Sequence, residues 1–364
     1  MGIQTVSQAL SNENGGFSPF GFKNRIINGT MVIDQRNAGA SVTANNDVFG
    51  VDRFQTVASQ SSKLTVQQNA GSVTPPTGFS KYLGYTSSSA YSVLSSDFFF
   101  IAHNIEGFNF ADMGWGTASA STVTLSFWVR SSLTGTFGAA LRNSGSSRSY
   151  PFSYTISVAN TWEQKTITVA GDTSGTWIGA TNGIGLQLAI SLGMGSTYNG
   201  TANAWASANY ASVTGATSVV STNAATFYIT GVQLEKAPQA TAFDYRDYGN
   251  ELRMCQRYFL KDLQDGSTAT FLVGVINTAT TGNRMSRVFP VTMRTAPTAA
   301  IGGTSNPRIY DGTTPALITG LTTNTCSSFG ASLQLEATSG GLVVGRGAVI
   351  IDNTASFVTY SAEL

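Results

Sequence analysis

Apolar side chains recur at every second position through much of this chain. In TVTLSFWVRSS (122–132), Leu125, Phe127 and Val129 alternate with Thr124, Ser126, Trp128 and Arg130. In WEQKTITVAG (162–171), Ile167 and Val169 alternate with Thr166 and Thr168. A period of two puts one set on each face of an extended strand, one face toward a core. Similar short runs of β-branched and aromatic residues, bounded by Gly, Asn, Ser and Pro, occupy 25–35, 63–69, 91–107, 135–145, 149–158, 183–195 and 225–236. Roughly eight to ten strands at this spacing, with no helical period between them, predict a sandwich or jelly roll over 24–248.

The style changes on either side of that block. Residues 1–23 are polar and broken by Gly and Pro, which predicts an arm that docks to other chains. In GNELRMCQRYFLKDL (249–263), charged residues surround Leu252, Met254, Tyr258 and Phe259. That pattern fits either a short helix or an amphipathic strand, and it marks the start of a second domain. From 264 onward the strand signals return, in TATFLVGVINT (268–278), MSRVFPVTMR (285–294), SLQLEATSG (332–339) and LVVGRGAVIIDN (342–353). A second, smaller β-sandwich over 249–364 is expected, serving oligomerisation or forming the tip. No repeat of fixed length supports a solenoid. The fold class is therefore all-β: an arm, a jelly roll and a second sandwich.

Composition narrows the functions. Charged residues make up 11% of the chain, against roughly 25% in a typical soluble domain. Hydrophobic residues reach 41%, with 21 Phe and 13 Tyr, so a core can be buried and disorder is excluded. A surface so poor in charge is expected to be covered by other copies or by a larger particle. The net charge is +1 with no run of Lys or Arg, which gives nucleic acid no footprint. No apolar stretch of membrane-spanning length and no secretory leader stand out, so no membrane insertion is expected. Cys255 and Cys326 are far apart in sequence and form no metal or redox motif.

Catalytic candidates are few. His103 is the only histidine, and no nucleophile motif accompanies it. Glu106, Asp112, Glu163, Asp172 and Glu235 could in principle pair for glycoside hydrolysis, but turn or capping roles suit them better. No phosphate-cradling glycine loop occurs. The expectation is a protein without catalytic residues, without a cofactor and without a metal. The one ion the pattern would admit is a structural calcium near Asn28, Asp34, Asp52 and Glu235. Recognition by aromatic faces has better candidates. Trp115, Trp177, Tyr198, Trp205 and Tyr210 lie among Gly, Ser and Thr outside the strand patterns, and such rings bind the apolar faces of sugars. The same residues could instead plug the sandwich edges or meet a neighbouring subunit. Trp128 and Trp162 sit on strands and belong to a core or edge.

The stretches FKNRIINGTMVIDQRNAG (22–39), HNIEG (103–107), VTLSFWVRSS (123–132), TWEQKTITV (161–169) and FYITGVQLEKAPQATAFDYRDYGNELRMCQRYF (227–259) resemble a module widespread in tail-fibre and other virion proteins of phages and prophages. That module looks like a carbohydrate-binding jelly roll. FPVTMRTAPT (289–298) and the terminal SAEL (361–364) are similar to a domain that often follows it. His103 and Asn104 depart from the Gln-Lys type pair more usual there, and the arm is short. The resemblance implies a homotrimeric component on the exterior of the particle, in tail or capsid, that attaches to host-surface glycan. The short arm suits a compact appendage better than a long fibre. A purely structural decoration of head or tail is the alternative.

Overall fold

The structure is a computed structural model that describes residues 22–263, 272–278, 283–302, 308–313, 315–337, 342–351 and 357–364. Apart from Phe22 and Lys23, the expected docking arm lies outside the described residues. The chain divides into two compact units between Arg246 and Asp247.

The first unit is a jelly-roll sandwich of two six-stranded sheets. Sheet I runs in the order β1 (Val42–Thr43), β4 (Leu64–Gln68), β5 (Leu83–Ser87), β14 (Thr226–Glu235), β7 (Val123–Ser131), β10 (Glu163–Val169). Sheet II runs β2 (Val48–Val51), β3 (Phe54–Ala58), β6 (Phe98–Glu106), β11 (Ile184–Met194), β8 (Gly135–Arg142), β9 (Ser149–Ile156). A short parallel pair, β12 (Asn199–Gly200) and β13 (Ser212–Val213), follows in the β11–β14 connection. The alternation read from the sequence holds where it is clearest. Val123, Leu125, Phe127 and Val129 of β7 are fully buried, and Val169 of β10 joins the same cluster. Leu186, Leu188 and Ile190 of β11 face them from sheet II. Burying this apolar surface between the sheets is the main source of stability.

The run RIINGTMVIDQ (25–35), which reads as a strand, is a buried turn segment instead. Asn28 and Met31 adopt left-handed backbone (φ 61° at both), which no strand accommodates. Its apolar residues still enter the core, with Ile26 and Met31 fully buried. The segment is tied to β14 by Arg25 N to Leu234 O (2.9 Å) and Val232 N to Gly29 O (3.0 Å). Arg246 clamps it from the end of the unit, donating to the Ile26 and Asn24 carbonyls. At Gly231 (φ +60°) β14 bulges, and a Cβ there would approach Phe79 Cζ to 2.6 Å.

The second unit opens with the helix α1 (Tyr248–Gln256), which Asp247 caps by accepting from Asn250 N at 3.0 Å. Residues 249–263 thus supply a helix and then a strand, β15 (Phe259–Leu263). β15 pairs with β23 (Phe357–Ser361), and β23 pairs with β18 (Thr298–Gly302). The other strands are β16 (Leu272–Val275), β17 (Asn283–Val288), β19 (Arg308–Tyr310), β20 (Ala316–Cys326), β21 (Gly330–Ala337) and β22 (Gly347–Ile351). They close into a barrel in the order β16-β17-β21-β20-β19-β22. The unit is all-β as expected, but closure replaces the two open sheets of a sandwich. Both architectures share a period of two, and pairing β16 with β22 removes the edge a sandwich would leave. Cys255 is buried, Cys326 is half-buried, and the two do not form a disulfide.

Candidate functional site

The five aromatics singled out in the sequence fall in two places. Trp115, Trp177 and Trp205 come together at one end of the jelly roll. Their rings meet edge to face: Trp115–Trp177 at 4.9 Å, Trp115–Trp205 at 5.1 Å and Trp177–Trp205 at 5.8 Å between centroids. Phe110 and Tyr150 extend the group at 5.0 Å from Trp115 and 5.1 Å from Trp205. Each indole N–H has an acceptor: Ser121 O for Trp115, the Asp172 carboxylate for Trp177 and Ala170 O for Trp205. Trp115 is only 5% exposed and belongs to the core; Trp177 and Trp205 are half-buried against it. Of the two readings the sequence left open, the geometry for these three is that of an edge plug. Glycine- and serine-rich neighbours suggested exposed loops, but here the loops themselves carry the packing.

A fork of charge holds that plug. Arg148 donates from Nε to Asp172 Oδ2 at 2.8 Å and from Nη2 to Oδ1 at 2.5 Å, and its guanidinium lies 5.7 Å from the Trp205 ring centre. Burial would raise the Asp172 carboxyl, but Arg148, the Trp177 indole and Ser174 N outweigh it and hold it below the usual carboxylate range. Other acids of the sequence list have similar occupations. Glu163 accepts from Ser157 N, Val158 N and Lys165; Asp112 pairs with Arg25; Glu235 accepts from Thr241 N, Thr241 Oγ1 and Gln233 Nε2.

The four residues considered for calcium also face protein donors. Asn28 is locked into the turn by Ile33 and the Asp52 carbonyl. Asp34 accepts from Asn37 N and Gly39 N. The Asp52 carboxylate accepts from Gln35 N and Nε2 and from Arg36. Among the described residues no group of three or more His, Cys, Asp or Glu could hold a metal ion.

Tyr198 and Tyr210 belong to a different place, the outer face of sheet II. Register aligns Asn104 of β6 with Gln187 of β11, Gln187 with Arg142 of β8, and Arg142 with Ser149 of β9. Alternation turns this row away from the core, since the adjacent Leu188, Leu141 and His103 point inward. The row is linked by hydrogen bonds. Gln187 Nε2 donates to Asn104 Oδ1 at 2.8 Å; Arg142 donates to Gln187 Oε1 from Nε (3.1 Å) and Nη2, and from Nη1 to Asn209 Oδ1 at 2.7 Å. One step along the strands lie Ala102, Ala189 and Ala140, and beyond them Phe100, whose ring centre is 5.2 Å from the Arg142 guanidinium.

The chain from Gly195 to Val213 folds over part of this face. Ala211 packs on Phe100, Ala102 and Ala189, and Tyr198 meets Phe98 edge-on at 5.6 Å. Ser212 approaches β8 so closely that a Cβ on Gly138 would lie 2.1 Å from its Oγ. Asn209 is exposed, Gln187, Tyr198 and Tyr210 are half-exposed, and Arg142 is 7% exposed. Desolvation pulls the Arg142 guanidinium down to about 10. Planar amides, an arginine fork and aromatic rings on a strand-built floor can read the hydroxyls and apolar faces of a sugar. Arg142, Gln187 and Asn209 escaped the sequence reading. The available signal was polar residues at the outward positions of FGAALRN and GLQLA.

No protein-family model matches the chain, and no curated protein matches it. Solved structures similar to it include the enzymatically active domain of a bacteriophage CBA120 tailspike protein 4, at 10% identity over 53% of this chain and 21% of that one, TM-score 0.31. This chain thus spans about a fifth of that tailspike chain. Another is described as a putative sugar binding protein from Bacteroides thetaiotaomicron, at 11% identity over 59% of this chain and all of that one, TM-score 0.32. A third is a family 11 carbohydrate-binding module from Clostridium thermocellum, at 12% identity over 55% and 97%, TM-score 0.26. These likenesses are too remote to assign a family.

Proposed function

We propose that this chain is a non-enzymatic virion protein, displayed on the outside of a phage particle, that attaches to host-surface glycan through the outer face of sheet II. The observation that carries the reading is the row Asn104–Gln187–Arg142, continued by Asn209 and floored by Phe100. Polar side chains joined in this way keep their donors and acceptors oriented before a ligand arrives, which limits the entropy lost on binding. A glycan array probed with the purified protein tests it. Gln187→Ala removes the link between Asn104 and Arg142, and it is expected to weaken binding about tenfold or more, the cost of losing two or three oriented hydrogen bonds. Because Gln187 also accepts twice from the shielded Arg142, the variant should lower the melting temperature too, so binding is compared at a temperature where both proteins are folded. Unchanged binding by this variant would remove the site.

The alternative, a decoration protein whose surfaces meet only other virion chains, draws on the exterior of the second unit. Val273 and Val275 of β16 are 60% and 46% exposed, and Val288 of β17 is 77% exposed, with Phe329 and Val344 similarly open. Apolar side chains so placed favour burial between copies. A homotrimer assembled through this exterior is expected, and light scattering at micromolar concentration should give three times the 38.2 kDa chain mass. Val288→Asp should shift the mass toward the single chain. A monomeric parent protein would count against trimer assembly.

A further inference from the structure

Arg142 is the one charged side chain in the row across sheet II, and it lacks a counter-charge. Its hydrogen-bond acceptors are amide oxygens alone, those of Gln187 and Asn209, and no carboxylate among the described residues acts on it. Neutral acceptors compensate a desolvated cation poorly, so its position at 7% exposure is unfavourable in the free protein. Elsewhere in the same unit, similarly shielded arginines meet acids: Arg148 pairs with Asp172 and Arg36 with Asp52.

The donors also remain incomplete. A guanidinium carries five N–H hydrogens. Nε, Nη1 and Nη2 each donate once here, which leaves one hydrogen on each terminal nitrogen. Two parallel N–H groups on adjacent nitrogens match the two oxygens of a carboxylate. Phe100 beneath the guanidinium fixes its plane, and the exposed Asn209 amide beside it offers its Nδ2 hydrogens to neighbouring hydroxyls. One monovalent anion would neutralise the single charge, whereas a doubly charged phosphate would leave an excess.

We infer that the sugar read on this face is acidic, with its carboxylate forked by Arg142 and its hydroxyls read by the adjoining amides. This rests on the glycan-binding reading above and names the ligand class for the same site. The test is an array that pairs uronate- and sialate-bearing oligosaccharides with their carboxyl-reduced counterparts, probed with the full chain. At least one acidic glycan is expected to bind about tenfold or more tightly than its reduced partner, as suits a charge-assisted fork. Added salt should narrow that gap. Arg142→Met should abolish the preference while keeping residual binding to the reduced form, and Arg142→Lys should restore only part of it. Should either variant fail to fold, the paired comparison with the parent protein still decides. Equal or better binding of the reduced glycans would overturn the acidic assignment and leave glycan binding standing. Binding to nothing on the array would overturn both.

Discussion

Replacing Trp115 by alanine is expected to destabilise the first unit by about 3–5 kcal/mol, the range for truncating a buried tryptophan. The indole is 5% exposed and touches Phe110, Trp177 and Trp205, so the cavity would open among rings that cannot collapse without losing one another. Its N–H bond to Ser121 O, 2.8 Å long, would also go, leaving that carbonyl to find water. For a unit of this size the loss corresponds to a fall of roughly 10 °C in melting temperature. Trp177→Ala and Trp205→Ala should cost less, because both rings are half-exposed and part of their area already meets solvent. The measurement is denaturant unfolding followed by tryptophan fluorescence. All five tryptophans lie before Arg246, so the signal reports the first unit alone. A Trp115→Ala protein as stable as the parent but deficient in glycan binding would reverse the assignment and make the trio a recognition surface.

That trio shows where sequence reading stops. Alternation identified β7 and β10 because apolar side chains fill one face of each and polar ones the other, although Thr124 and Ser126 of β7 are themselves buried. β6 reads FFFIAHNIE with no alternation, since all but its first residue are buried: one face meets the core, and on the other Phe100 and Ala102 are covered by Ala211 of the 195–213 connection. Nothing local announces such a cover. The turn at 25–35 was misread for a related reason: its β-branched residues enter the core from left-handed corners that only the φ values reveal. The polar row across sheet II depends on register. Arg142 and Gln187 are 45 residues apart and become neighbours only when β8 pairs with β11. Barrel closure in the second unit is likewise a property of which strands meet last. The tryptophans were visible as residues, and their mutual contact was not.

Lowering the pH from 7 to 4.5 is expected to weaken the first unit by roughly 3 kcal/mol, a loss carried by His103. The ring points into the core from β6, tilted on Phe54 at a centroid distance of 4.9 Å. Its Nε2 faces Ile27, 3.3 Å from the backbone N–H and 3.0 Å from the carbonyl oxygen, while Nδ1 has no hydrogen-bond partner among the described residues. Desolvation first, then the positive charges of Arg53 and Arg246, push its pKa down to about 3. In the unfolded chain the same group titrates near 6.5. Between those values the unfolded chain binds a proton that the folded chain refuses, so stability rises with pH across the window. It is fully present above about 6.5 and is lost at about 1.4 kcal/mol per pH unit as the pH falls toward 3. The upper part of the window is diagnostic, because this is the only histidine in 364 residues and ordinary carboxylates titrate lower. Below about pH 4 the depressed carboxyls of Asp97, Glu163 and Asp172 add their own acid losses. His103→Leu keeps the packing on Phe54 without the titrating nitrogen, and it should flatten the profile between pH 7 and 4.5 even if it shifts the plateau. Urea unfolding read by tryptophan fluorescence across that range checks both. A parent profile already flat over those pH units, or a leucine variant that keeps the full slope, would show that the buried ring is not what makes this sandwich sensitive to acid.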